Sequence, residues 1–335
     1  MACHLAIAGV TGAVGQEFLS ILEERDFPFD TLKVLASSRS KGKKITFKGK
    51  EYTVEVLTKD SFAGVDIALF SAGGSRSKEF APAAAKAGAV VVDNSSAFRM
   101  DPTAPLVIPE INPEKIKEHK GIIANPNCST IIGIMPVWPL HQANPVKRMV
   151  VSTYQAASGA GAAAMAELGA QSREILDGKK PSCNVFPYQI AFNCFSHNSA
   201  LGPDGYNEEE TKMVKETRKI FDCPQIAITA TCVRIPVMRA HCESINLEFT
   251  RPITPERVRE LLAKAPGISV LDDREHNRFP MPIDATGKDD VLVGRIRQDP
   301  SLPDNRGINL WVAGDQLRKG AALNAIQIAE KLLEQ

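Results

Sequence analysis

Several features are missing from the 335-residue chain, and each absence narrows what it can be. No stretch approaches the roughly 18 consecutive apolar residues that span a bilayer. Nor does a basic segment followed by a long apolar core mark a secretory signal. The expectation is a cytoplasmic protein with no membrane partner. An excess of one charge is missing too, with 40 Lys and Arg against 39 Asp and Glu. That balance gives no net field to attract nucleic acid or an anionic surface, so a basic residue that matters acts locally. The seven cysteines, at 3, 128, 183, 194, 223, 232 and 242, are odd in number and contain no C-x-x-C pair. This argues against both a disulfide framework and a structural zinc site, and no metal is expected. Low-complexity linkers and internal repeats are absent as well, although the length suffices for two domains.

What is present starts with His4-Leu5-Ala6-Ile7-Ala8, a strand-type run that feeds into Gly9-Val10-Thr11-Gly12-Ala13-Val14-Gly15. Phe18, Leu19, Ile21 and Leu22 then fall on one helical face. Strand, glycine turn and helix together form a phosphate cradle, in which Gly9, Thr11, Gly12, Ala13 and Val14 are candidate cofactor contacts. A second strand, Leu32 to Ala36, ends at Ser37-Ser38-Arg39-Ser40-Lys41. An NAD site usually places a carboxylate near this strand end for the ribose hydroxyls. Arg39 and Ser40 suit a 2′-phosphate instead, so the expected cofactor is NADP; the alternative is a solvated basic loop. Residues 44–47 and 52–56 read as a hairpin inserted in the wound sheet. Further buried strands cover 66–72, ending in a turn with Gly73, and 90–93. Arg99 follows the second of these at a strand exit, a usual ligand position, though position alone equally allows a surface cation.

Short strands and helices repeating through residue 127 predict an α/β fold with a Rossmann-like doubly wound parallel sheet. This domain covers residues 1–127, and a C-terminal helix within 315–335 is expected to complete it. Residues 128–314 carry longer strands at 149–155, 226–231 and 241–249 and a helix near 162–177. They predict a second, α+β domain with a mixed or antiparallel sheet.

Asn125-Pro126-Asn127-Cys128-Ser129-Thr130 sits where a buried strand gives way to a helix. Free cysteines are mostly buried filler. At such a corner, however, backbone N–H groups and the helix dipole face the thiol and favour thiolate. A nucleophilic cysteine works with an acid/base, most often histidine. Four of the six histidines fall at element ends or in charged loops, leaving His197 and His241. His241 closes the block from Arg234 to His241, whose two arginines, proline and histidine are not needed for core packing. Glu208-Glu209-Glu210-Thr211-Lys212, taken alone, reads as a solvated acidic helix start.

The glycine turn, the Asn125 to Thr130 corner, Gln155 with Ser158-Gly159-Ala160-Gly161, and the Arg234 to His241 block together resemble aspartate-β-semialdehyde dehydrogenase of the bacterial type. The resemblance runs from residue 4 to the C-terminal helix. The related N-acetyl-glutamyl-phosphate reductase usually has glycine before the cysteine and an aromatic after it, so Asn127 and Ser129 favour the aspartate family. The resemblance implies reversible NADP-linked reductive dephosphorylation of L-aspartyl-4-phosphate to L-aspartate-4-semialdehyde by a homodimer. Inorganic phosphate is the co-substrate in the oxidative direction, and the second domain serves catalysis and dimerisation. It assigns Cys128 as nucleophile, His241 as acid/base and Gln155 to positioning the acyl group. Arg234 would hold the substrate carboxylate, Glu209 its ammonium, and Arg99, Lys212 and Asn127 its phosphate. Gly9, Thr11 to Val14, Arg39, Ser40, Gly73, Ser158, Gly159 and Gln316 would contact NADP. The family more often has glycine at 240 and serine at 242; Ala240 and Cys242 here put a second thiol near the expected site. Alternatives from the residues alone are the related acyl-phosphate reductase, a cysteine hydrolase or acyltransferase, and a non-catalytic NADP sensor.

Overall fold

A computed structural model describes residues 3–334. The chain forms two compact units; the first ends at Asn127 and resumes at Ala321, and the second is Cys128–Gly320.

In the first unit the chain runs β1 (His4–Ala8), α1 (Ala13–Glu24), β2 (Thr31–Ala36), β3 (Lys44–Phe47), β4 (Lys50–Thr53), β5 (Glu55–Val56), β6 (Ile67–Phe70), α2 (Gly74–Lys86), β7 (Val90–Asp93) and β8 (Ile122–Ala124). Among the described residues one sheet has the order β5-β2-β1-β6-β7-β8, with every pairing parallel. The order reverses at β1, which makes the exits of β1 and β6 the switch point of an open α/β sheet. Its central strands carry near-continuous apolar runs, Leu5–Ala8 in β1, Ile67–Phe70 in β6 and Val90–Val92 in β7, because both faces are covered. Phe18, Ile21 and Leu22 of α1 pack on one side, and Ala81 and Ala84 of α2 on the other. Among the described residues β3 and β4 pair only with each other. Their residues alternate, with Ile45, Phe47 and Tyr52 packed on the core. A hairpin with one apolar face suits an outer layer, whereas a strand inside the wound sheet must bury two.

The second unit begins with α3 (Cys128–Ile134) and continues with α4 (Val137–Ala143), β9 (Val146–Gln155), α5 (Ala162–Leu176), β10 (Phe195–Ser196), α6 (Glu208–Ile220), β11 (Ala227–Arg234), β12 (His241–Phe249), α7 (Pro255–Leu262), β13 (Ile268–Val270), α8 (Pro282–Ala285), β14 (Val291–Gln298) and β15 (Gly307–Gly314). The mixed sheet has the order β10-β11-β9-β12-β15-β14-β13. Met149, Val151, Thr153 and Gln155 lie on its buried face with Ile245, Leu247 and Phe249, while Ser152, Tyr154, Ser244, Asn246 and Trp311 are half-buried on the other. This alternation is that of a sheet with one packed face. α3 and α6 pack against each other and on β11, β12 and β15.

A π-helical turn, Arg318–Ala322, leads into α9 (Leu323–Leu333) of the first unit. Residues 315–320 stay with the second unit instead of extending this helix toward Gln316. Asp315 holds them as a turn, its carboxylate accepting from the Leu317 and Arg318 amides at 3.0 and 3.3 Å and from Arg239 at 2.7 Å.

Candidate active site

Strand register assembles the site. β11 and β9 run parallel with Arg234 beside Gln155, and β12 runs antiparallel with Cys242 opposite Tyr154, which brings His241 level with Gln155. Side chains alternate across a strand, so Arg234, Gln155 and His241 share the buried face at one end of the sheet. Burial pushes the His241 pKa down to about 3, and Arg234 adds to the effect, so the imidazole is neutral. Its Nδ1 accepts from the Ala156 amide at 3.1 Å. The ring proton therefore sits on Nε2, which is buried without a hydrogen-bond partner among the described residues.

Cys128 opens α3 on this face. A Cβ placed on Gly320 would lie 3.0 Å from the Cys128 Cβ, so only a bare glycine gives the cysteine comfortable room. One residue on, Ser129 accepts from Gln155 Nε2 at 2.8 Å. Gln155 also approaches Glu209 Oε1 at 3.5 Å, and the other Glu209 oxygen accepts from Lys212 Nζ at 3.1 Å. Glu209 is buried rather than solvated, because Asn207 and Glu210 form the capping box and bring the first turn of α6 down on the sheet. Burial lowers the Arg234 pKa, against the opposing charges of Glu209 and Cys128. A Cβ on Gly159 would come within 2.9 Å of Arg234 Nη1 and 3.0 Å of His241 Nε2. The turn at Ser158-Gly159 is thus a wall of the site, and Gln316 fixes it by donating to Ser158 Oγ and accepting from the Ala240 amide at 2.8 Å.

Two neighbours of this buried row depart from the pattern of the resemblance. Cys242 points to the opposite sheet face, packed among Ala240, Ala285 and Ala313, so it is no second thiol at the site. Its pKa is pushed up to about 12 by burial. Ala240 has φ +72°, the left-handed region that favours glycine. His197, the other candidate acid/base, is occupied: its Nε2 lies 2.8 Å from Arg234 Nη2. Glu243 and Ser199 were not singled out by sequence reasoning. An acid inside the alternating apolar run of β12 was the available signal for Glu243; a lone serine offered none.

In the first unit, Gly9 has φ +94°, and a Cβ there would meet Ser71 O at 2.2 Å. Only glycine lets the turn close between β1 and β6. Thr11 and Gly12 are exposed, and α1 starts with no side-chain cap and no acid in its first turn. Its free amide groups fit a pyrophosphate. Gly73 is the equivalent exposed residue before α2. Arg39 is exposed just beyond β2, with Ser40 Oγ 3.4 Å from Thr11 Oγ1. Arg99 is buried, not a surface cation, and donates to the carbonyls of Asn125 and Asn94 at 2.9 and 3.0 Å. It braces the strand exit that leads to Asn127, itself buried.

Both units of the chain resemble known proteins. The semialdehyde dehydrogenase NAD binding domain matches residues 4–119, and the semialdehyde dehydrogenase dimerisation domain matches residues 137–319. The chain is 58% identical over 331 residues to an aspartate-semialdehyde dehydrogenase from Synechocystis, covering 99% of this chain and 97% of that one. The chain belongs to the aspartate-semialdehyde dehydrogenase family. The Bacillus subtilis member is 49% identical, with 98% and 97% covered. The solved aspartate semialdehyde dehydrogenase II from Vibrio cholerae, complexed with ASA, superposes with a TM-score of 0.97 at 47% identity, covering 100% and 99%. The Candida albicans aspartate semialdehyde dehydrogenase with NADP gives 0.77 at 25% identity, covering 99% and 98%. Aspartate-semialdehyde dehydrogenases are oxidoreductases of amino-acid biosynthesis, and the dinucleotide-binding half of the family is the unit that carries the Gly9 cradle.

Proposed function

We propose that the chain catalyses the reversible, NADP-dependent and phosphate-dependent conversion of L-aspartate-4-semialdehyde to L-aspartyl-4-phosphate through a thioester on Cys128, on the route to lysine, threonine and methionine. The observation that carries this reading is the buried row of Arg234, Gln155 and His241, facing the helix that Cys128 opens. In the oxidative direction the Cys128 thiolate adds to the aldehyde carbon. Nε2–H of His241 donates to the oxygen that gains charge, so the group handles this oxygen as a donor in the neutral state. NADP held by the Gly9 cradle would supply the hydride acceptor for that carbon. The oxyanion collapses to a thioester without a further proton transfer. Phosphate then adds to the thioester carbon, the same donor holds the new oxyanion, and thiolate leaves as the acyl phosphate forms. Gln155 positions the acyl group from between Ser129 and Glu209.

Arg234 is the receptor for the α-carboxylate, where a guanidinium fork matches two oxygens. Glu209 takes the ammonium, and Lys212, Arg99 and Asn127 serve phosphate. Gly9, Thr11, Gly12, Ala13, Val14 and Gly73 suit the dinucleotide backbone, with Ser158, Gly159 and Gln316 completing the proposed set. Arg39 and Ser40 favour the 2′-phosphate, supported by the absence of a carboxylate in residues 37–44. Chain pairing through the half-buried sheet face with Tyr154 and Trp311 gives a homodimer, supported by the family name of this unit; light scattering should read twice the mass of one chain. The balanced charge supports small-molecule partners rather than nucleic acid or an anionic surface, and the reading includes a cytoplasmic location.

The test is absorbance at 340 nm. NADP should be reduced when aspartate semialdehyde and phosphate are both supplied, with NAD much less effective and Arg39→Ala narrowing the preference. Absence of reduction by protein that binds NADP would sink the proposal.

A further inference from the structure

His197 has a place in the fold that its sequence neighbours do not suggest. It follows β10, which pairs antiparallel with β11 so that Phe195 lies beside Arg234, and the His197 amide donates to Cys232 O at 2.8 Å. The backbone is thereby fixed and the ring is carried to the Arg234 guanidinium. Arg234 Nη1 donates to Ala156 O at 3.1 Å and Nη2 lies 2.8 Å from His197 Nε2. A guanidinium only donates, so Nε2 must present its lone pair and the ring proton sits on Nδ1. The Nδ1–H group then donates to Ser199 Oγ at 3.0 Å. The other tautomer, with Nδ1 accepting from the Ser199 amide at 3.2 Å, would set two N–H groups face to face across the 2.8 Å contact with Arg234. Ser199 Oγ also accepts the Glu209 amide at 3.2 Å, in the first turn of α6. A single hydrogen-bonded chain therefore runs from Arg234 through His197 and Ser199 to Glu209. Burial, reinforced by Arg234, lowers the His197 pKa to about 4, so the ring stays neutral and never repels the guanidinium at ordinary pH.

We propose that His197 is the positioning residue of the carboxylate receptor, holding the Arg234 fork in register with Glu209 and so setting selectivity for an aldehyde that bears an α-amino carboxylate. This rests on the assignment of Arg234 and Glu209 made above. The role is opposite to that of His241, whose proton faces the site while that of His197 faces away. It also separates binding from chemistry, since His197 is tied to the group that holds the substrate's far end.

The experiment compares wild type, His197→Leu and His197→Gln with two substrates, L-aspartate semialdehyde and 3-aminopropanal, which has the same aldehyde and ammonium but no carboxylate. Loss of a charge-assisted hydrogen bond that orients the fork predicts a rise of about 10- to 100-fold in KM for aspartate semialdehyde in His197→Leu. The accompanying change in kcat should be much smaller, and the low rate with 3-aminopropanal should be unaltered. His197→Gln keeps an acceptor for Arg234 and a donor for Ser199, and should restore most of the KM. Should His197→Leu not fold, Ser199→Ala, which frees the ring from α6, is expected to shift KM in the same direction. Equal losses with both substrates, an unchanged KM, or failure of glutamine to improve on leucine would overturn the proposal. Failure of the wild type itself to oxidise aspartate semialdehyde would instead reject the underlying functional assignment.

Discussion

Among single residues, Nε2 of His241 is the atom on which the proposed chemistry turns. It is buried, carries the proton of a neutral ring, and has no partner among the described residues. A buried donor without a partner costs roughly 1–3 kcal/mol, a cost that makes sense when a substrate oxygen supplies the acceptor. Gly159 stands beside this atom and beside Arg234 Nη1, and a methyl group there would come within 3.0 and 2.9 Å of them. Gly159→Ala is therefore expected to lower kcat/KM about 100-fold, the order of loss that a misplacement near 1 Å brings. Gly159 is exposed, so its thermal unfolding should stay close to that of wild type. Parallel steady-state kinetics and melting curves check both, and wild-type activity in the variant would contradict the placement of the turn as a wall of the site.

Among the elements, α3 meets the sheet of the second unit through Gly133 and Glu243. A Cβ on Gly133 would sit 2.3 Å from Glu243 Oε2, so glycine makes room for a carboxyl whose two oxygens have no hydrogen-bond partner among the described residues. Burial, with the charge of Glu209 added, raises the Glu243 pKa well above its ordinary 4.5. The native state keeps this proton while the unfolded chain releases it near pH 4.5. The unfolded state therefore binds fewer protons above that pH, and stability falls as pH rises until the native group itself ionises. Glu243→Gln keeps the shape and removes the ionisation, so its stability advantage over wild type should grow with pH above 4.5, by at most about 1.4 kcal/mol per pH unit. Denaturant unfolding of both proteins at mildly acidic and mildly alkaline pH checks this; a constant difference would show that Glu243 is ionised in the native protein.

The elements also show what could be read in advance. Unbroken apolar runs such as Leu5–Ala8 in β1 and Ile67–Phe70 in β6 announce a parallel sheet covered on both faces. The β3–β4 hairpin misleads because strand propensity does not say which sheet a strand joins, whereas its alternation does. The residues of the second unit's site were legible as types and not as a constellation. Arg234, Gln155 and His241 come together only through the register of β9, β11 and β12, and His197 through that of β10. Cys242 reads as a neighbour of His241 in sequence, but the strand period turns it to the opposite face.

Over the whole molecule, the alternation of strands and helices through residue 127 and the longer strands beyond it distinguish a Rossmann-like α/β unit from a one-sided mixed sheet, and both appear. Chemistry divides in the proposal along the same line. Cofactor recognition draws chiefly on the Gly9 cradle and Arg39, while the oxyanion donor and the carboxylate receptor lie on the buried face of the second sheet and the nucleophile opens α3, which packs on that sheet. The two roles should come apart in mutants: Cys128→Ala should abolish turnover and retain NADP binding. The most direct measurement follows the thioester itself. Wild-type enzyme is mixed with NADP and aspartate semialdehyde without phosphate, and NADPH formation and the mass of the Cys128 peptide are recorded. The account predicts a burst of about one NADPH per active site, an aspartyl adduct on Cys128, and discharge of that adduct on adding phosphate. NADPH formed without any adduct on Cys128, or an adduct that phosphate does not discharge, would contradict it.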